Sequence, residues 1–368
     1  MNAVCDLAPQ NIHQIAPYLP GKPIAELQRE LGLTEIIKLA SNENPLGYGS
    51  KARAALEAAL PEIGLYPDGN GYALKTALMD HHGVGRDQII LGNGSNDILE
   101  LAARTFLTPQ ASALYSCHAF AVYPLVVQAV GARGIEVPAK DYGHDLNAMV
   151  AAIGADTRIV FIANPNNPTG TFLPGDVLKA ALARIPAHVL VVLDEAYTEY
   201  LDDHQRYNAI AWLSEFPNLL ISRTFSKAYG LAGLRVGFGL GNPSVVDLMN
   251  RVRQPFNVNS LSLAAAQAAL DDSEFLARTR QLNLAGMRQL TEGFAGLSLP
   301  YIPSCGNFIS VEVGPQASAI YQDLLRQGVI VRPVANYQMP CHLRVTVGLS
   351  QQNSFFLQAL EKALARSR

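Results

Sequence analysis

The sequence predicts an α/β protein: a large domain with a mostly parallel sheet flanked by helices, joined to a smaller α+β domain. Three observations point there. Ile159 to Ala163 (IVFIA) and Val189 to Leu193 (VLVVL) are unbroken apolar runs rich in β-branched residues, which suit strands buried on both faces of a parallel sheet. Helical patterns lie between such runs, as in Lys51 to Leu60 and Asp97 to Phe106. After about Asn259 the alternation gives way to a long Ala-rich helical region. The expected division is residues 31–259 for the large domain and 260–368 for the smaller one.

Each element has a local reason. Ser50 can cap the helix that starts at Lys51. The strand Gln88 to Leu91 runs into Gly94-Ser95-Asn96, which opens the next helix. Ile159 to Ala163 continues into Asn164-Pro165-Asn166-Asn167-Pro168-Thr169-Gly170, and Val189 to Leu193 into Asp194-Glu195-Ala196-Tyr197. A third strand, Leu219 to Ser222, leads to Lys227. Polar groups at the carboxyl ends of parallel strands are where open α/β sheets hold ligands, so these three ends describe one crevice. The smaller domain is expected from a helical Leu261 to Leu297, a strand at Asn307 to Val313, a helix at Ser318 to Gln327, and strands at Val329 to Val331 and Arg344 to Val347.

Composition excludes several classes. The chain has 368 residues, 49% hydrophobic and 16% charged, with formal net charge −3, which suits a packed core and not a disordered or nucleic-acid-binding chain. No apolar stretch approaches the roughly 20 residues a membrane span needs. The N-terminus, MNAVCDLAPQ, lacks a basic region followed by an apolar one, so no signal peptide is expected. Cys5, Cys117, Cys305 and Cys341 lie far apart without a CxxC pair, which suits separate thiols in a reducing cytoplasm. His81 and His82 are adjacent, not spaced for one helix face, and no metal site is expected. There is no GxSxG elbow, and Gly92-Asn93-Gly94 lacks the third glycine of a dinucleotide fingerprint.

The chemistry concentrates in residues 222–235, SRTFSKAYGLAGLR. Thr224 and Ser226 stand three and one residues before Lys227, and Arg235 follows eight residues after it. A lysine in that company can bind an aldehyde cofactor as an imine while hydroxyls and a cation hold a phosphate, the two demands of pyridoxal phosphate. A protonated pyridine nitrogen needs a carboxylate beside it, and Asp194 ends a buried strand; a helix cap is the other use of such an Asp. Ser95 suits either a helix cap or, with Asn96, an anion site at a helix N-terminus.

The segment resembles the active-site lysine segment of the class I and II aminotransferases, fold-type I enzymes that use pyridoxal phosphate. Within them the chain is most similar to the histidinol-phosphate aminotransferases, from about Tyr18 to Gly348. The resemblance joins residues 1–30 to the smaller domain with 260–368, implies a Lys227 Schiff base and gives Asp194 the pyridine nitrogen. It gives Asn167 and Tyr197 the phenolic oxygen, though Asn167 also suits a plain turn. Ser95, Asn96, Thr224, Ser226 and Arg235 surround the phosphate, unless Arg235 is a surface cation. Phe120 stacks on the ring. Many relatives carry Pro-Thr before that aromatic and often Tyr at it; here His118-Ala119 precede a Phe, and His118 is open between an inert residue and one near the cofactor. Tyr66, in LYPDGNGYALK, matches a tyrosine that reaches the phosphate in the neighbouring subunit, which implies a homodimer; a Tyr-Pro turn is its other reading. Tyr18, Arg332 and Arg344 match the groups that grip substrate anions, with NENP at 42–45 and PFNVN at 255–259 on the rim. The implied reaction exchanges L-histidinol phosphate and 2-oxoglutarate for imidazole acetol phosphate and L-glutamate in histidine biosynthesis, in the cytoplasm. Its alternatives are an aromatic-amino-acid aminotransferase, a phosphothreonine decarboxylase and a non-catalytic pyridoxal-binding module.

Overall fold

A computed structural model describes residues 3–17 and 21–367. Tyr18 therefore lies outside the described residues. Seven strands form the main sheet: Ile89–Gly92 (β1), Ser112–Ser116 (β2), Arg133–Val137 (β3), Thr157–Ala163 (β4), Leu190–Asp194 (β5), Leu219–Thr224 (β6) and Gly237–Gly241 (β7). Their order is β1-β7-β6-β5-β4-β2-β3, and β7 runs antiparallel to both of its neighbours while the other pairs are parallel.

The expected runs are strands, and their burial explains their continuity. In β4, Ile159, Phe161 and Ala163 join one core with Ile98, Leu99 and Val192. Val160 and Ile162 point the other way, into a core with Leu74, Leu178 and Val191. With helices over both faces, neither set needs to be polar, and period-2 alternation disappears. Three main-sheet strands carry no such signal. β2 and β3 are short and broken by polar residues. β7 reads GFGLG because the Ser95–Phe106 helix lies close against it: a Cβ at Gly239 would come within 2.9 Å of Ile90 and 3.0 Å of Ile98.

Two local expectations shift. The helix expected from Lys51 spans Ser50–Ala59, so Ser50 is its first residue; Gly49 takes the cap position and no side-chain capping bond forms. The long helical region breaks into Ser260–Leu270 and Ser273–Gly296, because Asp272 leaves the helical conformation and its side chain caps the second helix at Phe275 N.

The second sheet contains Tyr301–Ile302 (β8), Phe308–Glu312 (β9), Arg332–Pro333 (β10) and His342–Thr346 (β11), ordered β10-β11-β9-β8 and antiparallel. Its core gathers Leu290, Phe294, Ile309, Val311, Leu343, Val345 and Phe356. Ile37–Lys38 pairs in parallel with Val329–Ile330. Leu27 packs with Ala40, Leu325 and Ile330, while Asn11 Nδ2 reaches back to the Gln128 carbonyl at 2.8 Å. The Ser260–Leu270 helix buries Ala265, Ala266 and Ala269 in the same core as Ala52 and Leu74. No described helix is long and apolar enough to cross a membrane.

Register places the site. Ala163 on β4 lies opposite Asp194 on β5, which lies opposite Ser222 on β6. The segments leaving these three strands open toward the second sheet. Phe161 anchors this end: it is fully buried, and its ring stacks on Tyr123 at 4.8 Å. Phe161→Ala should destabilise the protein by about 3–5 kcal/mol, the usual cost of a large core cavity. Thermal or urea unfolding checks this, and a loss under about 1 kcal/mol would mean that the site relaxes to fill the void.

Candidate active site

The crevice holds a cavity of about 180 Å³. Asp194, 5% exposed, forms its floor at the end of β5. The Tyr123 hydroxyl donates to Asp194 Oδ2 at 2.9 Å. Asp194 Oδ1 is buried and finds no hydrogen-bond partner among the described residues. Burial pushes the carboxyl up to about 6, with the Tyr123 hydroxyl and the Ala196 amide opposing. The adjacent Glu195 points away from the cavity, where its Oε2 accepts from Arg223 Nε at 2.9 Å and Nη2 at 2.6 Å. Strand alternation separates the two carboxylates in this way.

Lys227 enters from the loop after β6. Its Nζ donates to the Ser41 carbonyl at 3.1 Å and lies 5.9 Å from the centre of the Tyr197 ring. Burial lowers its pKa to about 8, and Arg344 acts in the same direction. A larger share of neutral amine, the nucleophilic form, is therefore present near neutral pH. Tyr197 stands beside it, 3% exposed, with its hydroxyl accepting from Asn42 Nδ2 at 2.8 Å. Burial pushes this phenol up to about 12, with Arg344 and Asn42 opposing.

One end of the cavity is shaped for an anion. The Ser95–Phe106 helix begins there, with Gly94 at φ +80° in its cap position, so Ser95 is the first helical residue and not the cap. Arg235 lies flat against Gly94: a Cβ there would stand 2.3 Å from its Nη2. Arg235 Nη1 donates to Ser226 Oγ at 3.2 Å, and the Ser226 amide donates to Thr224 Oγ1 at 3.0 Å. A guanidinium, two hydroxyls and the amides of a helix N-terminus converge on one place. Arg235 is thus not an isolated surface cation.

Two walls complete the cavity. Phe120 presents its ring from the loop after β2, edge-on to Tyr123 at 5.9 Å. Opposite, the NPNNPTG phrase divides its labour. Asn164 Oδ1 accepts from the Leu173 amide at 2.8 Å, and Asn166 Nδ2 donates to the His118 carbonyl at 3.0 Å and Thr169 Oγ1 at 2.8 Å. These two asparagines brace the turn and leave Asn167 to face the cavity, where its Oδ1 accepts from Arg344 Nη1 at 2.5 Å.

The second sheet supplies the far end. Arg332 on β10 is the cross-strand partner of Arg344 on β11, and they are 7% and 6% exposed. Like charges opposite one another in a sheet repel. Asn167 Oδ1 and the Ala40 carbonyl, the latter at 2.7 Å from Arg344 Nη2, accept hydrogen bonds from Arg344. Such a pair suits an anionic ligand.

The cavity thus gathers Ser95, Asn96, Phe120, Asn167, Asp194, Tyr197, Thr224, Ser226, Lys227, Arg235, Arg332 and Arg344 from many separate segments. Tyr66 is not among them: it is 84% exposed and stacked on Phe256 at 4.9 Å. Sequence reasoning passed over Tyr123 and Tyr337 and put Asn42 only on the rim. Tyr123 follows Phe120 by three residues at the start of a helix, a spacing that could have placed both on one side. Nothing local marks Tyr337. Among the described residues no group of three or more His, Cys, Asp or Glu gathers as a metal site would require.

Residues 34–359 match the family model of aminotransferase class I and II. The chain belongs to the class I and II aminotransferases. It is 61% identical over 363 residues to histidinol-phosphate aminotransferase 2 of Nitrosospira multiformis, covering 98% of this chain and 93% of that protein. It is 62% identical over 366 residues to the histidinol-phosphate aminotransferase of Methylobacillus flagellatus, covering 99% of each. Among solved structures, the histidinol-phosphate aminotransferase of Sinorhizobium meliloti in complex with pyridoxal-5'-phosphate superposes with a TM-score of 0.91 at 28% identity, over 98% of each chain. Aspartate aminotransferase of Thermus thermophilus with maleate shares the fold, with a TM-score of 0.83 at 21% identity.

The cavity of this aminotransferase fits pyridoxal phosphate on its own chemistry. The orphaned Asp194 Oδ1 suits a protonated ring nitrogen, and the anion-shaped end at Gly94 and Arg235 suits a phosphate.

In the cofactor-free chain Asp194 carries a pH signature. Its carboxyl is at about 6 when folded, against about 3.9 when unfolded. The fold favours the protonated form, so this contribution is complete below the unfolded value and is lost as pH rises through about 6. Relative to Asp194→Asn, the parent should lose on the order of 2–3 kcal/mol between pH 4 and pH 7. Paired unfolding curves across that range measure the gap, and a gap independent of pH would show that the carboxyl is not shifted.

Proposed function

We propose that the chain is a histidinol-phosphate transaminase. With pyridoxal phosphate it exchanges L-histidinol phosphate and 2-oxoglutarate for imidazole acetol phosphate and L-glutamate, a step of histidine biosynthesis. The observation that carries this reading is near-full-length identity, 61% and 62%, to two relatives of that name.

Bound pyridoxal phosphate supplies a sink for the electron pair left when a substrate Cα–H bond breaks. The chain's residues do the rest. Lys227 Nζ would hold the cofactor and, as a free amine, would take the substrate Cα proton and return it to C4′. A pKa of about 8 suits a group that must accept and release that proton near neutral pH. Asp194 keeps the ring nitrogen protonated, with Tyr123 fixing its orientation. Asn167 and Tyr197 serve the phenolic oxygen. Ser95, Asn96, Thr224, Ser226 and Arg235 hold the phosphate, and Phe120 covers the ring. Arg344 takes the α-carboxylate of glutamate, and Arg332, with Tyr18, takes the phosphate of histidinol phosphate or the distal carboxylate.

The working unit we infer is a homodimer with shared sites. Tyr66 does not line its own cavity and is exposed, as are Leu60, Ile63, Leu65 and Tyr72 nearby in sequence. Such a surface suits a second copy, whose phosphate site Tyr66 would complete. The four thiols are unpaired with one another, which supports a reducing cytoplasm as the compartment. For the two domains we keep 31–259 against 1–30 with 260–368, supported by the separate core around Phe294 and Phe356. The Ser260–Leu270 helix, on the small-domain side of that division, packs in the large-domain core beside Ala52.

Single-turnover measurement of each half-reaction tests the substrates. Arg332→Ala should slow the histidinol-phosphate and glutamate half-reactions together. Arg344→Ala should injure the glutamate side more, because only glutamate brings an α-carboxylate. Each lost charge-assisted bond should reduce specificity by about ten- to a hundredfold. If Arg332→Ala spares histidinol phosphate, and phenylalanine outruns histidinol phosphate in the parent, an aromatic-amino-acid aminotransferase replaces this reading.

Shared sites predict complementation. An inactive Lys227→Ala chain mixed with a weakened Tyr66→Phe chain should regain activity, because one site of each mixed dimer keeps both residues. Proven subunit exchange without recovery would rule out a role for Tyr66 in the neighbouring site.

A further inference from the structure

The turn at Ala335–Tyr337 follows β10, and so follows Arg332 closely in the chain. It is fastened to the loop after β2, which carries Phe120, and to the neighbouring strand β3. His118 Nδ1 lies 2.6 Å from the Tyr337 carbonyl oxygen. Gln338 Nε2 donates to Glu136 Oε1 at 2.8 Å, and Ala121 packs against Ile302, Val334, Tyr337 and Met339. A carbonyl oxygen only accepts, so the hydrogen of the 2.6 Å contact sits on His118 Nδ1.

The imidazole is itself held in place. His118 adopts φ +58°, a conformation that few non-glycine residues take. Its carbonyl accepts from Asn166 Nδ2 at 3.0 Å, and its ring leans on Tyr142 at 5.6 Å. Tyr142 in turn meets His342 at 5.4 Å, at the start of β11, the strand of Arg344. On the other side of the bond, Tyr337 lines the cavity at 4% exposed. Two cavity-lining residues lie close to this bond along the chain: Phe120, two residues after His118, and Arg332, five residues before Tyr337.

We propose that His118 is a positioning residue for substrate specificity. By fastening the Tyr337 turn to the Phe120 loop, it sets the distance from the ring face to the Arg332 receptor, and so selects substrates by the reach of their anion. The inference rests on the transaminase reading of the cavity. The Gln338 and Ala121 contacts keep the turn attached without His118, so its loss changes the fit of the anion and not the fold.

The test uses holoenzyme with His118→Phe, which keeps a flat ring without a donor, and His118→Asn, which keeps a donor near the Nδ1 position. Maleate, a dicarboxylate without an amine, is titrated against each while the absorbance of the bound cofactor is followed. Cofactor dissociation is measured separately. His118→Phe should raise the maleate dissociation constant and the KM for glutamate about tenfold, the effect of one lost hydrogen bond, with kcat and cofactor affinity changed by less than about threefold. His118→Asn should recover most of the loss. His118→Ala is read in the same way if His118→Phe does not fold. Equal maleate constants in parent and His118→Phe overturn the proposal. Equal losses in His118→Phe and His118→Asn, or a matching loss of cofactor affinity, overturn it too. The parent's single-turnover rate with histidinol phosphate judges the substrate reading independently, since the maleate constants do not depend on which amine is the natural donor.

Discussion

Asp194 is a carboxyl group at the end of a strand covered on both faces, where an ionised oxygen without a partner is strongly disfavoured. Among the described residues Oδ1 finds no hydrogen-bond partner, while Tyr123 donates to Oδ2. The rest of the crevice is arranged around Oδ1. Tyr123 is fixed by stacking on Phe161, so the core of the sheet dictates the direction of the carboxyl. Lys227 and the anion-shaped end at Arg235 border the same cavity. Pyridoxal phosphate, with a protonated nitrogen and a phosphate, would suit both ends together.

The far side of the cavity depends on the second sheet. Arg332 and Arg344 lie side by side because β10 and β11 pair in that register. Asn42 links the same sheet to the large-sheet side: its amide donates to Thr346 Oγ1 at 2.9 Å, while its side chain reaches Tyr197. His118 and Tyr337 form a second such link. Phe120 packs against a large-sheet core and the arginines stand on the second sheet, so bonds that cross between the two sheets contribute to the geometry between them.

The chemistry was legible where residues close in sequence do one job. SRTFSKAYGLAGLR sets Thr224, Ser226, Lys227 and Arg235 around one loop, and the strand-ending NPNNPTG and DEAY phrases mark where the crevice lies. β4 and β5 were legible because burial on both faces demands apolar residues throughout. β7 was not, because its glycines answer to the Ser95–Phe106 helix, packed against it from far away in sequence. Ser50 shows the limit of local signals: a good capping residue became the first residue of its helix, with Gly49 in the cap position.

The sequence by itself therefore determined the class of fold, the family resemblance and the set of groups able to serve an aldehyde cofactor and anionic substrates, since each follows from residue chemistry at short spacing. Tertiary structure alone decided which groups meet. It turned Glu195 away to Arg223 while Asp194 faced the cavity, aimed Tyr123 at Asp194, set Arg332 beside Arg344, and brought Tyr337 to His118. These pairs are far apart in the chain or depend on which face of a strand is covered. Long-range packing and register fix them, and a local pattern carries no record of either.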